Sequence, residues 1–540
     1  MNGKELVHAA FRRKKVSRVP WVPFVGCHGG LLIGVDAESY LRSTTHMIAG
    51  ASEAIKRYRP DGIPVTFDLQ IEAEALGCQL AWGKENPPAV ATHPLAEGRN
   101  LSDFHIPSAS EGRIETVMAA TTELRHKYPD IALYGLVTGP FTLALHLLGI
   151  ELLIKMFKDE PYIAKLMEFC EQVSVRMADY YMEAGCDIVA LVDPMTSQIG
   201  PNHFERFVSP YVKPIFDHIR KKGVLSSFFV CGDAQHNIKA MCTCEPDNIS
   251  IDENIPLDYV RDTCMNQGIS FGGNMQLTVV LLMGSEEDAG REALRCLDIG
   301  GESGFILAPG CDLPYHTPPK NLEAVAKLVH DPYQRDVLKA LSREESVEEL
   351  LDMNDYGKSD KVMVDVITLD SESCAPCQYT IEVVQNAVDE FPGIAGWREH
   401  KIKEPDSVLF MKSLMVKNIP TICIDGKITF VSKIPPKDEL VAAIRRRIYE
   451  KLKYKIRSKR GSVLVLGENR EQCAELLPLV EQAVDELGAD ITVTAVTDEV
   501  ERVAYGVLST PAVIVANYKI KSEGYVPSVP IIKEWIKEIG

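Results

Sequence analysis

The sequence is short of positive charge. Its 58 lysines and arginines face 76 aspartates and glutamates, for a formal net charge of −18. A chain with that balance repels a phosphate backbone unless its basic residues are gathered on one face. Arginine-rich stretches such as residues 443–451 read as exposed helix faces and leave the balance intact, so nucleic acid is not an expected partner. Long apolar runs are missing as well. One uncharged stretch, residues 19–35, is broken by Pro20, Pro23, four glycines and His28, which makes it a poor membrane span. Residues 1–15 carry basic side chains but no apolar core ahead of a small-residue cleavage site, so no secretory signal is expected. These absences predict a cytoplasmic protein with no membrane partner. Hydrophobic residues at 46% and charged residues at 25% are the proportions of folded globular chains. A length of 540 residues predicts about three or four folded units. Fourteen irregularly spaced cysteines without a secretory signal point to thiol or metal chemistry rather than a disulfide framework, with most of them inert in cores.

Residues 1–335 alternate short β-rich runs with longer amphipathic stretches, the pattern of a parallel α/β fold. Strands are expected near residues 19–25, 63–67, 131–137, 187–192, 224–230, 248–251, 269–272 and 304–307. Eight runs predict a (β/α)8 barrel. Asp68, Thr138, Asp193, Cys231, Asp252, Asn274 and Cys311 fall at or just past strand ends, where barrel enzymes build their sites. A charged stretch over 336–360 reads as a linker, with helical periodicity around 346–353. Two smaller α/β units follow, over 361–453 and 461–540, each with a β-run, a helix beginning near a cysteine, a proline before hairpin-like sequence, and a terminal helix. The matching prolines are Pro420 and Pro511. The layout predicts a tandem repeat.

In the first small unit, Ser373-Cys374-Ala375-Pro376-Cys377 precedes a helical stretch over 378–391. That spacing puts Cys374 at a helix N-terminus, where free N–H groups favour a thiolate, and lets Cys377 close a disulfide with it. The same pair alone could equally be half of a zinc site. With Ile419-Pro420-Thr421 downstream, the unit resembles the thioredoxin fold family. The resemblance implies Cys374 as attacking thiol, Cys377 as resolving thiol and Pro420 as a cis proline facing them; Cys423 reads as core. The last unit is similar to small thioredoxin-like proteins through its Ser509-Thr510-Pro511-Ala512 segment. Arg470 stands in place of the first cysteine, which leaves Cys473 without a partner and the fold most simply structural.

In the barrel, Asp68 follows a strand and is succeeded by Glu72 and Glu74. This segment, with Gly139-Pro140-Phe141-Thr142-Leu143-Ala144, Leu191-Val192-Asp193-Pro194 and Leu307-Ala308-Pro309-Gly310-Cys311-Asp312, resembles the uroporphyrinogen decarboxylase superfamily over residues 3–330. The match is with its corrinoid-dependent methyltransferase branch, of the methylcobalamin:coenzyme M type. Decarboxylases of the superfamily hold an acidic tetrapyrrole with paired arginines, but the loop here is Phe24-Val25-Gly26-Cys27-His28-Gly29-Gly30. The methyltransferase branch binds zinc through a His-x-Cys pair and a later cysteine. Cys231 and Cys311 match two positions and Phe229 replaces the histidine. His28 is the leading substitute ligand, with His236, His316 and the Cys242-Thr243-Cys244 segment as alternatives. The superfamily implies that Asp68 is catalytic at the centre of the cleft. Asp193, Asp252-Glu253 and Asn274 either orient substrate or cap the following helices.

The resemblances together imply methyl transfer between a corrinoid protein partner and a small thiol or thiol-bearing acceptor, with Zn2+ generating the thiolate and a redox-active disulfide module attached. Cys374 and Cys377 are expected to keep a barrel thiol or a thiol substrate reduced, and a homodimer is among the expected assemblies. One alternative is a thiol-disulfide oxidoreductase with a metal-free barrel for partner or substrate binding. Decarboxylation of a tetrapyrrole is the other.

Overall fold

The β-branched runs of the N-terminal region become seven parallel strands in sequential order: β1 (Gly62–Pro64), β2 (Ala132–Thr138), β3 (Ile188–Val192), β4 (Leu225–Val230), β5 (Asn248–Ile251), β6 (Ser270–Met275) and β7 (Phe305–Pro309). Every residue of β2 and β3 is buried, because helices cover the outside and side chains fill the inside. The run expected as an eighth strand, at 19–25, makes a single bridge, Trp21 to Leu307. Val22 N–H donates to the Leu307 carbonyl (2.9 Å), Leu307 N–H to that of Pro20 (3.0 Å), and Asp61 N–H to that of Trp21 (2.8 Å). The segment therefore joins β7 to the chain entering β1 and curls the sheet into a barrel. Pro20 and Pro23 have no N–H to donate, so no longer ladder forms. The interior is plugged by aromatics: the Phe24 ring centroid lies 4.9 Å from that of Phe229, and Phe67 lies 5.6 Å from Phe229.

This computed structural model describes residues 1–341, 353, 356, 361–372, 374–402, 404–416, 418–499, 502, 505, 507, 509–516 and 519–538. Two compact units, Met1–Leu440 and Val441–Gly540, make up the chain. Helix Pro332–Leu341 occupies the start of the stretch read as a linker over 336–360. Most of the rest of that stretch, including nearly all of 346–353, lies outside the described residues.

The first repeat, within the first unit, is a four-stranded sheet of β8 (Val362–Thr368), β9 (Ala395–Lys401), β10 (Thr421–Ile424) and β11 (Lys427–Val431), in spatial order β9-β8-β10-β11. β9 runs parallel to β8; β10 and β11 are antiparallel. In the second unit, β12 (Ser462–Leu466), β13 (Thr492–Val496), β14 (Ala512–Val515) and β15 (Lys519–Glu523) repeat this order and these directions. Ile419–Pro420 and Thr510–Pro511 are both cis, each leading into its hairpin. Among the described residues, no single helix is long and apolar enough to cross a membrane.

The first repeat packs onto the barrel through helix Ala375–Val388. Tyr379 is buried in the barrel's apolar core and its hydroxyl donates to the Leu145 carbonyl at 3.5 Å. The Gln378 amide donates to the Val90 carbonyl (3.0 Å), Asn86 to the Asp370 carboxylate (2.8 Å), and Ile434 N–H to the Gln198 side chain (2.8 Å). A buried aromatic anchor with hydrogen bonds around it is the arrangement of a stable interface.

Candidate active site

The barrel strands end on one cavity of about 400 Å3, and the first repeat roofs it. The walls come from segments after successive strands: Gln70 after β1, Thr142 and His146 after β2, Cys231 after β4, Glu253 after β5, and Cys311 and Asp312 after β7. Cys374, Cys377 and Pro420 line it from above. Barrel enzymes place their chemistry at this end of the strands.

Cys231 is the first residue past β4 and Cys311 the second past β7, and the sheet's curvature brings both to the same cavity wall. The neighbouring Cys311 thiol, burial, and the charges of Asp252 and Cys374 push the Cys231 thiol well above its ordinary value. Two glycines permit the tight path. Gly232 has φ +86° and gives its N–H to Asp252 at 2.9 Å, while a Cβ at Gly310 would lie 2.5 Å from the Glu253 nitrogen. Overhead, Cys374 is the cap residue of its helix. Its thiol nevertheless stands well above the usual range, because hydrogen bonding to the Cys377 thiol and burial outweigh the Cys377 N–H that favours the thiolate. The thiolate expected from the helix N-terminus is therefore not favoured while both thiols are reduced. All the cysteines of the chain are free.

Of the other residues singled out in the sequence, Asp252 and His316 also line the cavity, whereas Asp68, Asp193, Asn274 and His28 do not. Asp68 is buried, accepts from Gln70 N–H at 2.9 Å and forms an ion pair with Arg113, whose Nε also binds Glu74 at 2.5 Å. Asp193 accepts from Phe141 N–H (3.1 Å), Thr142 N–H (2.9 Å) and the Thr142 hydroxyl (2.6 Å), capping helix Pro140–Leu148; burial raises its carboxyl to about 7. Asn274 gives its amide to the carbonyls of Ile255 (2.7 Å) and Asp252 (3.2 Å). His28, the expected third metal ligand, is wholly buried with both ring nitrogens engaged. Nδ1 meets the Tyr315 carbonyl at 3.0 Å and Nε2 the Tyr58 hydroxyl at 2.7 Å, and burial lowers its pKa to about 4.

The remaining candidates for a metal fare no better. His236 binds the Ile199 carbonyl at 3.0 Å, and His316 lies 3.0 Å from Glu85. Cys242 and Cys244 sit on and just after helix Ile238–Thr243, away from the cavity lining, with Cys242 hydrogen-bonded to Cys264. Phe229, in the histidine position, belongs to the aromatic plug. Among the described residues no group of three or more His, Cys, Asp or Glu is arranged to hold a metal ion. A catalytic zinc takes three protein ligands, so the two thiols fall one donor short.

Asp312, His146 and Gln70 line the cavity without a role in the sequence reading, whereas Asp252-Glu253 was expected to orient substrate or cap a helix. Asp312 accepts from Gly26 N–H at 2.8 Å and burial holds its carboxyl well above the ordinary range. Glu253 is raised to about 8 by burial and by neighbouring Asp252. His146 Nδ1 and Gln70 Oε1 are buried without a hydrogen-bond partner, a rare condition for polar atoms in a folded protein. Asp312 directly follows a singled-out cysteine and His146 lies two residues beyond the 139–144 motif; that adjacency was the only available signal.

Comparison with known proteins agrees with this architecture. The thioredoxin domain model matches residues 360–445 and 462–537. The chain is 27% identical to the methylcobamide:CoM methyltransferase MtbA of Methanosarcina acetivorans, over 60% of this chain and 96% of the relative. It is 26% identical to MtaA, of the same printed activity, from Methanosarcina barkeri, over 59% and 94%. A solved methyltransferase from Methanosarcina mazei shares the fold, with a TM-score of 0.57 and 22% identity over 63% of this chain and 99% of that one. The uroporphyrinogen decarboxylase (URO-D) model matches residues 2–332, more than half of the sequence, and the chain belongs to that family.

Proposed function

We propose that the chain transfers a methyl group between a corrinoid carried by a partner protein and a small thiol whose tail is uncharged or cationic. The observation that carries this reading is the chemistry of the cavity wall. Sulfur and carboxyl groups line it, and among the described residues no lysine or arginine does. A polycarboxylated tetrapyrrole finds no counter-charge there, which disfavours decarboxylation. The relatives named for methyl transfer to CoM support the reaction class. A volume of about 400 Å3 suits a small thiol and leaves the corrinoid on its carrier.

In this reading the acceptor sulfur attacks the methyl carbon, the electrons of the broken carbon–cobalt bond stay with cobalt, and the thiol proton passes to a carboxylate of the wall. Glu253 suits that role. With its carboxyl raised to about 8, its conjugate base is strong enough to take a thiol proton near neutral pH. Leu277 N–H donates to Oε2 and fixes the group's orientation. Zinc was the activator implied by the resemblance, but the donor set lacks a third ligand and no step here runs through it.

Free methylcobalamin serves as surrogate donor, its loss followed by absorbance. Turnover is expected with 2-mercaptoethanol and cysteamine, at least tenfold above that with 2-mercaptoethanesulfonate. Glu253→Gln should cost about a hundredfold, the usual range for a lost general base. No turnover with any thiol overturns methyl transfer; a preference for the sulfonate overturns the assignment of the tail.

A further inference from the structure

The cavity holds two thiol pairs where the family resemblance called for a metal site. Cys231 and Cys311 stand close enough on the barrel side to act on each other's ionisation, and Cys374 and Cys377 do so on the roof. All four line the same cavity. Thiols that share one cavity wall can be brought to the roughly 2.05 Å of a disulfide by local movement of the segments that carry them. Cys231 and Cys311 come from different strands of one sheet, so the barrel sets their separation without closing a loop. Cys311 and Cys374 lie near enough for the charge of one to act on the other.

We propose that Cys231 and Cys311 are a second redox couple, and that Cys374 and Cys377 reduce its disulfide by direct exchange within the chain. Hydrogen peroxide oxidises the barrel dithiol, forming the Cys231–Cys311 bond and two molecules of water. Cys374 gives up its proton and its sulfur attacks the Cys311 sulfur; the Cys374–Cys311 bond forms, the Cys231–Cys311 bond breaks, and the departing Cys231 thiolate takes up a proton in exchange. Cys377, as thiolate, then attacks the Cys374 sulfur and releases Cys311. Two electrons have moved from the roof pair to the barrel pair, and an external dithiol restores the roof. Attack by a thiolate through a mixed disulfide is the general course of such exchange. The expected role of Cys374 and Cys377, keeping a barrel thiol reduced, thereby acquires a substrate.

The relay is independent of methyl transfer, and its test contains no corrinoid. In the full-length Cys231→Ser/Cys377→Ser variant, one equivalent of hydrogen peroxide should join Cys311 to Cys374 in more than half the chains. The product is read by mass spectrometry of non-reduced peptides after iodoacetamide quenching. In an otherwise native chain oxidised at both pairs, dithiothreitol should clear the Cys231–Cys311 disulfide at least tenfold faster than in Cys374→Ser. Failure of the cross-link with both thiols alkylated overturns the proposal, and so do equal clearance rates.

Discussion

The two thioredoxin-like repeats share strand order, strand direction and a cis proline at the same place, yet they differ wherever chemistry would be needed. The first puts a thiol, Cys374, at its helix cap and a second, Cys377, in the next turn, both in a cavity wall. At the matching helix the second has Asn469 as cap, and its one thiol, Cys473, is buried and directed at the Val465 carbonyl at 3.7 Å. The contrast extends into the sheets. In the first repeat, buried Asp365 accepts from Arg398 Nε at 2.5 Å and contacts His400 Nε2 at 2.8 Å. Aligning the strands on their cis prolines places Leu464, Thr494 and Val496 at those positions. The second repeat has kept what folding requires and lost the buried carboxylate that folding must be made to tolerate. A fold and its redox chemistry are therefore separable in one chain.

The largest effect expected from this contrast is on exchange itself. Cys374→Ser should lower dithiothreitol-driven reduction of a protein disulfide at least a hundredfold, and Cys473→Ser should leave it within twofold; a comparable loss from Cys473→Ser would break the distinction. Exchanging the sheet residues tests stability. Leu464→Asp buries a carboxylate with no cation to meet it and should destabilise the second repeat by about 3 kcal/mol. Asp365→Leu leaves Arg398 and His400 without their acceptor and should cost the first about 2 kcal/mol, the smaller figure because Arg398 is 48% exposed and water replaces the lost bond. Hydrogen exchange of β8 and β12 amides reads each repeat separately.

Much of this arrangement was legible because it rests on local pattern. Apolar runs marked seven barrel strands to within a few residues, and the prolines of the two repeats stood out against their hairpins. Those same residues explain the misreading at 19–25, where Pro20 and Pro23 turn an apolar run into a single bridge. What the sequence hid was pairing across distance. Asp68 meets Arg113 and Asp193 meets Thr142, so carboxylates that fall at strand ends are spent on ion pairing and helix capping. His28 meets Tyr58 and Tyr315 in the same way. Nor does Tyr379 look different from any apolar residue of an amphipathic helix, although its ring carries the first repeat onto the barrel and sets the roof thiols over the cavity.

The smallest effect separates a cap from a nucleophile at one position. Asn469 accepts from Gln472 N–H at 2.9 Å, supplying an oxygen to a helix start that otherwise has unpaired donors. The cap residue of the first repeat's helix is Cys374, whose sulfur is a much weaker acceptor and makes no side-chain capping hydrogen bond. Asn469→Ala should therefore cost about 1 kcal/mol. In the fully reduced protein, Cys374→Ala should cost measurably less and should speed exchange of its first-turn amides less than Asn469→Ala does in the other helix. Equal losses at the two helices would mean that the thiol caps as well as the amide does, and that position 374 is retained for folding as much as for exchange.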